Sequence, residues 1–431
     1  MFYIDVNTEL STDLLQTMIS TFQTNMFPKL NTWGNYYKGN HTNVAGVDNF
    51  IVTNYCRQIA QTYNGYIVGK PVSYTSNDDI KDVQEAINYN DPTSEDIAWC
   101  MNALVYGVGY ELYWLDKNAQ VRFSQVSPLN SFPVYDNSLD RELLYFVRWY
   151  KENNLDDSEL YYLEVYSAID KKTYKMDGLG GDLSFVAEEP HHFGDVPVSV
   201  FWLNDAEENI FNCIIPLNDA YNRLQSCEIN DYSAWLDAYL LLSGMDAEAE
   251  DIAEMKRNRV LILPEGGTAQ WLTKTATDTQ ITNMLENLKK NIFKISAAPD
   301  MGDENFMAQS GVAIEYKLVG FENTSSGIVA NFTKALQRRV EIICNILNLK
   351  ATEAIWRDIR INFVRNLPTN ISEKVMLVNA LKGTVSDKTL LSQLPFIDDI
   401  EAELEAVQAQ KEANMSLYNF GAIVESENDS E

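Results

Sequence analysis

Between Pro216 and Gly244 the chain reads PLNDAYNRLQSCEINDYSAWLDAYLLLSG, with proline at the first turn and glycine at the far end. That punctuation marks a helix: proline gives up an N–H the first turn would not use, and glycine tolerates the reversal at the end. Roughly 27 residues at about 1.5 Å each would span about 40 Å, more than an ordinary domain helix. A second long helix is predicted from Asp278 to about Ala297. There Ile281, Leu285, Leu288, Ile292 and Ile295 recur at three- and four-residue spacing, so one stripe packs and the other faces water. Between the two lies a small unit, an acidic helix DAEAEDIAEMKR and then RVLILPEGGTAQWLT, read as two strands around a Pro264/Gly266/Gly267 turn.

The second helix runs into ISAAPDMGDENFMAQSGVAIEYKL, residues 295–318, where Pro299, Gly302 and Gly311 accompany Asp300, Asp303, Glu304 and the apolar Phe306 and Met307. An acidic loop with an apolar tip suits an enzyme's lid, a partner-binding loop, or a loop facing something that passes by. A third helix, TSSGIVANFTKALQRRVEIICNIL, a strand IRINFVRN and an acidic helical C-terminus follow, ending in a solvated tail ESENDSE.

Upstream, residues 1 to about 105 read as mostly helical. STDLLQTMISTFQTNMFPKLNTWGNYYKG opens with a cap signal, and FIVTNYCRQIAQTYNGYIVGKPV is expected to stop at Gly65, Gly69 and Pro71. From 107 to 204 the texture changes to short alternating or β-branched runs, GYELYWLD, VRFSQVSP, LLYFVRWYKE, LYYLEVYSA and TYKMDG, which predict a meandering antiparallel sheet. The stretch DGLGGDLSFVAEEPHHFGDVPV is expected to be the loop that ends it. No internal repeat is visible.

At 431 residues and 45% hydrophobic content the chain can bury a large core in two or three structural units. Its apolar runs fall short of a membrane span, and MFYIDVNTELSTDLL lacks the features of a signal peptide, so a cytoplasmic protein, or one in a particle assembled there, is expected. Cys56, Cys100, Cys213, Cys227 and Cys344 are scattered without a CxxC pair and read as reduced core residues. A net charge of -29 opposes sequence-specific DNA binding, because gripping a polyanion requires a basic face.

Motifs for chemistry are sparse. EEPHHFGD places His191 and His192 near Glu188, Glu189 and Asp195, but adjacent side chains on an extended segment point apart, and a catalytic metal needs about three converging ligands. Gly107 and Gly109 form a GxG before a strand, where a dinucleotide fingerprint needs a helix, so a tight strand entry is the expected reading. GxxxxGK[ST] and GxSxG are absent. Carboxylate pairs are inevitable among 62 acids, and spacing picks out none of them. Lys289, Lys290 and Lys294 interrupt the acidic chain on the second long helix, either as ordinary surface lysines or as a ring of positive charge repeated by symmetry.

Taken in order, YYKGNHTN, VTNYCRQIAQTYNGYIVGKPVSY, ALVYGVGYELYWLD, DVPVSVFWLND, LNDAYNRLQSCEINDYSAWLDAYLLLSG, PDMGDENFMAQSGVAIEYKL and IRINFVRNLPTN resemble the portal proteins of tailed bacteriophages, of the siphophage type, from about residue 30 to about 405. The resemblance implies an α+β portal fold, mainly helical with an antiparallel β-rich wing, long stem helices and a small α/β clip, assembled as a ring of about twelve subunits around a channel. In those terms 1–216 is the wing, 217–242 stem helix 1, 243–277 the clip, 278–298 stem helix 2 and 299–310 the tunnel loop. Residues 311–370 are a long wing helix and returning strand, and 371–431 the helical crown and acidic tail.

The site residues so implied are Asp300, Met301, Gly302, Asp303, Glu304, Asn305, Phe306 and Met307 in the tunnel loop, with Lys289, Lys290 and Lys294 facing the channel. For clip oligomerisation they are Val260, Leu261, Ile262, Leu263, Trp271 and Leu272, the two clip strands being expected to pair between subunits. A loop touching moving DNA must not hold it, and here acids repel phosphate while Phe306 and Met307 make non-directional contact. The implied partners are further copies of the chain, terminase, head-completion and connector proteins, major capsid and scaffolding proteins, and double-stranded DNA passing non-specifically, with no membrane. The implied place is the portal vertex of a virion assembled in the host cytoplasm. No cofactor, metal or catalytic residue is expected. The alternatives are a metal-dependent hydrolase using the His191/His192 loop and a ring-shaped adaptor that does not pass DNA.

Overall fold

The computed structural model describes the chain outside residues 1, 7, 42–48, 153–159, 237–239, 244–249, 251–256, 258–267, 272–277, 303–310, 348–354, 367–370, 392–393, 395–402, 405 and 412–431. The Ser11 side chain accepts the Leu14 N–H and opens α1, Thr12–Thr21, which passes through a π-helical turn, Phe22–Met26, into α2, Phe27–Lys38. Gly39 closes α2 at φ 91, a conformation that costs glycine little. Next come α3, Tyr55–Val68, α4, Lys81–Asn88, and α5, Pro92–Tyr106. α3 runs through Gly65 to Val68, because packing of its apolar face outweighs the small penalty of one glycine. The long helices are α6, Ile215–Leu236, α7, Asp278–Ile295, and α8, Gly311–Ile346.

The strands are β1, Phe2–Ile4; β2, Ser73–Thr75; β3, Val108–Leu115; β4, Val121–Val126; β5, Ser131–Asp136; β6, Leu143–Lys151; β7, Leu160–Tyr166; β8, Asp170–Asp177; β9, Leu183–Pro190; β10, Val198–Trp202; β11, Leu240–Ser243; β12, Thr268–Trp271; and β13, Arg360–Asn362. The expected single meander is divided. A six-stranded sheet has the order β1-β5-β6-β7-β8-β9, a three-stranded sheet the order β10-β3-β4, and β13 pairs with β2. The six-stranded sheet is antiparallel except where β1 lies parallel to β5.

β9 occupies the stretch expected to be a loop. It has almost no buried face to advertise it, and its pairing with β8 is reinforced by Lys171–Glu189 at 2.7 Å and Lys172–Glu188 at 3.9 Å. Gly109 stands where an added Cβ would meet the Trp99 ring at 2.7 Å, which explains the GxG as a close strand entry.

One face of the six-stranded sheet is covered by α1 and the π turn, with Leu15, Ile19 and Phe22 buried against Phe132, Val134, Val147 and Leu163. A second core gathers Val83, Ile87, Tyr113 and Phe123 around Val340, Ile342 and Ile343 of α8. At its edge sits Arg339, fully buried. Its Nε and Nη2 bond the two Glu111 oxygens at 2.8 and 2.7 Å, Nη2 reaches Asp96 at 2.5 Å, and Nη1 donates to the Tyr74 hydroxyl at 3.1 Å. One side chain thus ties α8 to α5, β3 and β2. All five cysteines are free, but Cys213 and Cys227 are exposed rather than in the core.

The chain forms two compact units, 1–309 with 313–366, and 310–312 with 367–431. The second contains α9, Ile371–Leu381, and α10, Asp387–Leu391, where Ser386 Oγ accepts the Thr389 N–H and Leu390 is buried. No helix among the described residues is long and apolar enough to cross a membrane.

Candidate functional site

α6 is shorter than its sequence suggests. It ends at Leu236, and Leu240–Ser243 form β11, which pairs antiparallel with β12 with Leu240 in register with Trp271. A short leucine run is compatible with helix or strand, and the partner strand decides.

One face of α6 carries Asn218, Asn222, Ser226 and Asn230, each four residues from the last. They bind an extended segment ahead of α3: the N–H groups of Tyr55, Thr53, Ile51 and Asn49 donate in that order to Asn218, Asn222, Ser226 and Asn230 at 2.9–3.1 Å. The match is geometric, since four helical residues rise about 6 Å and two extended residues about 6.6 Å. Asn218 also donates to the Thr53 carbonyl at 2.8 Å, so the helix acts as the strand this segment lacks. The same face meets His41, whose Nδ1 lies 3.1 Å from Asn222 Nδ2, and Asp219 of α6 accepts the Tyr36 hydroxyl at 2.8 Å. Burial pushes the His41 pKa below its ordinary value despite the nearby Asp219 carboxylate. Nothing in the expected site set included these residues; a run of amides and a hydroxyl at four-residue spacing was the available signal.

α7 packs with α6 and buries Ile292 and Phe293, the latter edge-on to Tyr55 at 5.6 Å. Ile295, expected in the packed stripe, is 53% exposed, because the stripe passes instead through Phe293 to the buried Ser296. From there the chain is pinned. The Ser296 carbonyl accepts the Tyr63 hydroxyl at 2.8 Å, Ala297 adopts φ 55, and Ala298 is buried. Asp300 then uses both oxygens: Oδ2 takes Lys289 Nζ at 2.7 Å and Oδ1 takes the Gly302 N–H at 3.0 Å. On the other side, Phe321 of α8 lies 4.5 Å from the Tyr63 ring and 4.6 Å from the Tyr66 ring. Glu322 accepts from the Tyr66 hydroxyl and from Arg365 at 2.9 Å. Burial raises the Glu322 pKa, but those hydrogen bonds outweigh it and hold the carboxyl below its ordinary value.

The family model for phage portal protein, SPP1 Gp6-like, matches residues 19–417 of this chain. The chain belongs to the phage portal protein family. The portal protein of Clostridium phage phiCD119 is 22% identical over 401 residues, covering 85% of this chain and 87% of that protein. Two solved structures of gene transfer agent particles contain similar chains. One, in the virion of the native particle, has a TM-score of 0.46 at 12% identity and covers 86% of this chain and 93% of that one. The other, in the neck of an empty particle computed with C6 symmetry, has a TM-score of 0.44 at 11% identity, with coverage of 79% and 88%.

Within this portal chain the expected site residues separate. Asp300, Met301 and Gly302 form the root just described, with Met301 and Gly302 exposed. Asp303, Glu304, Asn305, Phe306 and Met307 lie outside the described residues, as do Val260, Leu261, Ile262, Leu263 and Leu272. Gly311, expected as a flexible point of the loop, is the first residue of α8. Lys290 and Lys294 are exposed on α7, whereas Lys289 is half-buried and committed to Asp300. Trp271 lies on β12, which pairs with β11, while the RVLILP stretch, its expected partner across subunits, lies outside the described residues.

Of the residues in the hydrolase alternative, His192 is exposed, while His191, Asp195, Glu188 and Glu189 have other partners. His191 Nε2 bonds the Ser167 carbonyl at 2.8 Å and Nδ1 accepts the Phe193 N–H at 3.3 Å. Asp195 pairs with Arg338 at 2.7 Å, and Glu188 and Glu189 pair with the β8 lysines. No group of three metal-binding side chains converges among the described residues.

Proposed function

We propose that the chain is the subunit of a closed homo-oligomeric ring, of about a dozen copies, set at one vertex of a phage capsid. DNA driven by terminase enters through its channel during packaging and leaves by it at ejection, and head-completion proteins assemble on it. It works as a structural component without catalysis of its own. In this reading α6 and α7 are the stem, β11 and β12 belong to the clip, the helices and sheets before residue 215 form the wing, and the second unit contributes the crown.

The observation that carries the reading, in a chain of this family, is the pinned root between α7 and α8. Tyr63, Lys289 and the Asp300 turn fix the chain as far as Gly302, and α8 starts again at Gly311. A chain fixed at this point is suited to presenting the acidic stretch that follows it in sequence to a channel. Its acids, and the net charge of -29, keep DNA from being trapped in passage.

Electron microscopy of the purified protein tests this. Rings with a central opening wide enough for duplex DNA are expected. Monomers only, or rings with a closed centre, would refute it, the closed ring favouring an adaptor that passes no DNA.

A further inference from the structure

The chain leaves the first compact unit after Asn366, and the second unit takes it up at Leu367. The last two residues before that exit are both fastened to the end of α3. Asn366 N–H donates to the Tyr66 carbonyl at 3.2 Å. Arg365 lies over the Tyr66 ring at 5.5 Å and donates through Nη2 and Nε to one Glu322 oxygen at 2.9 and 3.2 Å. Glu322 accepts the Tyr66 hydroxyl on its other oxygen, and Ser326, one turn further along α8, donates to the carboxylate at 3.0 Å. Arg365, Tyr66 and α8 thus meet at a single carboxylate.

The same turn of α8 supports the root of the acidic stretch. Tyr63 and Tyr66 are three residues apart on α3 and so share a face. Phe321, buried, lies against both of their rings, at 4.5 and 4.6 Å, and the Tyr63 hydroxyl is the group that holds the Ser296 carbonyl. Gly320 completes the seat. A Cβ added there would stand 3.8 Å from the Ala297 Cβ, so the α8 backbone passes within van der Waals reach of the residue held at φ 55. We infer that Arg365 is a positioning residue for this root: by holding Glu322 and Tyr66 it fixes Phe321, and Phe321 fixes Tyr63, so the exit toward the second unit is coupled to the exit toward the acidic stretch. All three rings are buried, and close-packed side chains pass a displacement on instead of absorbing it. The Lys289–Asp300 pair holds the same root from α7 and shares no residue with this series of contacts. What the coupling does for DNA in passage rests on the function proposed above; the coupling itself does not.

Hydrogen exchange of the full chain, read by mass spectrometry over residues 296–302, tests the coupling. Arg365→Gln, which breaks a partly exposed ion pair, should speed exchange there about fivefold. Tyr63→Phe, which removes the hydroxyl that holds the Ser296 carbonyl, should do the same, and the double variant should exchange no faster than the faster single one, because both changes cut one series of contacts. Asn362→Ala loosens the same returning segment at Thr75 without touching these rings, and should leave 296–302 unchanged. Glu322→Gln keeps an acceptor for Tyr66 but loses the ion pair, so it should also speed exchange over 296–302, and it answers the question if the arginine variant does not fold. Unchanged exchange in Arg365→Gln and Glu322→Gln, effects of Arg365→Gln and Tyr63→Phe that multiply, or an equal rise in Asn362→Ala would overturn the inference. None of these readings needs a ring or DNA, so such a result would leave the proposed function standing.

Discussion

Replacing Arg339 with methionine is expected to cost about 3–5 kcal/mol at neutral pH. The guanidinium is fully buried and makes four hydrogen bonds, to both oxygens of Glu111, to Asp96 and to Tyr74. Methionine keeps much of the volume but leaves two carboxylates in one core without a counter-charge, the costly way to break a buried pair. Urea unfolding followed by tryptophan fluorescence should show a lower midpoint at unchanged slope, and Trp99, 5.4 Å from the guanidinium, reports on the site.

The loss should shrink in acid. Burial raises the Asp96 pKa above its ordinary value, only partly offset by Arg339, so the folded chain takes up this proton before the unfolded one. Lowering the pH through that raised value therefore favours the folded state, and a neutral Asp96 no longer needs the missing cation. Asp96→Asn, which leaves the Glu111 pair intact, should cost less than about 2 kcal/mol. A loss below about 1 kcal/mol for the methionine variant, or one that grows in acid, would show that Arg339 does not hold these elements together.

Asn222→Ala removes the acceptor for Thr53 N–H and the partner of His41, and should cost about 2–4 kcal/mol with faster exchange of the Thr53 amide, whereas Asn230→Ala, at the exposed end, should cost under about 1 kcal/mol. Because burial lowers the His41 pKa, its contribution is present above about pH 6.5 and is lost as pH falls through the lowered value; His41→Asn should flatten that slope, and equal slopes would remove His41 from the account. Shortening Met301 to Met307 should cost little stability and leave rings intact while DNA packaging slows or fails; loss of ring assembly would make the segment an interface. Changing Lys290 and Lys294 to Glu should alter packaging rather than melting temperature, and Lys289→Gln should cost under about 1 kcal/mol because its ion pair is partly exposed.

Regular patterns were legible without coordinates. The α7 stripe through Ile281, Leu285, Leu288 and Ile292, the Ser11 cap, and the alternating runs that became β3, β4, β6 and β7 are local, and local spacing is what a helix or strand needs. The ordered series of motifs also pointed to the portal family, which the family model shows. Three features were decided elsewhere. Leu240–Ser243 left the helix because β12 offers a ladder, β9 formed because β8 offers it a backbone ladder that two lysine–glutamate pairs reinforce, and Lys289 was withdrawn from the exposed lysines because Asp300 lies 2.7 Å away. The root of the loop and the polar ladder on α6 belong to the same class. Tyr63 and Ser296 are 233 residues apart and Asn49 and Asn230 are 181 apart, so no periodicity along the chain can encode those contacts. Sequence determined which segments could be helix or strand and where their apolar faces lie. Tertiary structure decided which polar groups found partners, because a buried hydrogen bond depends on what the fold brings across from a distant segment.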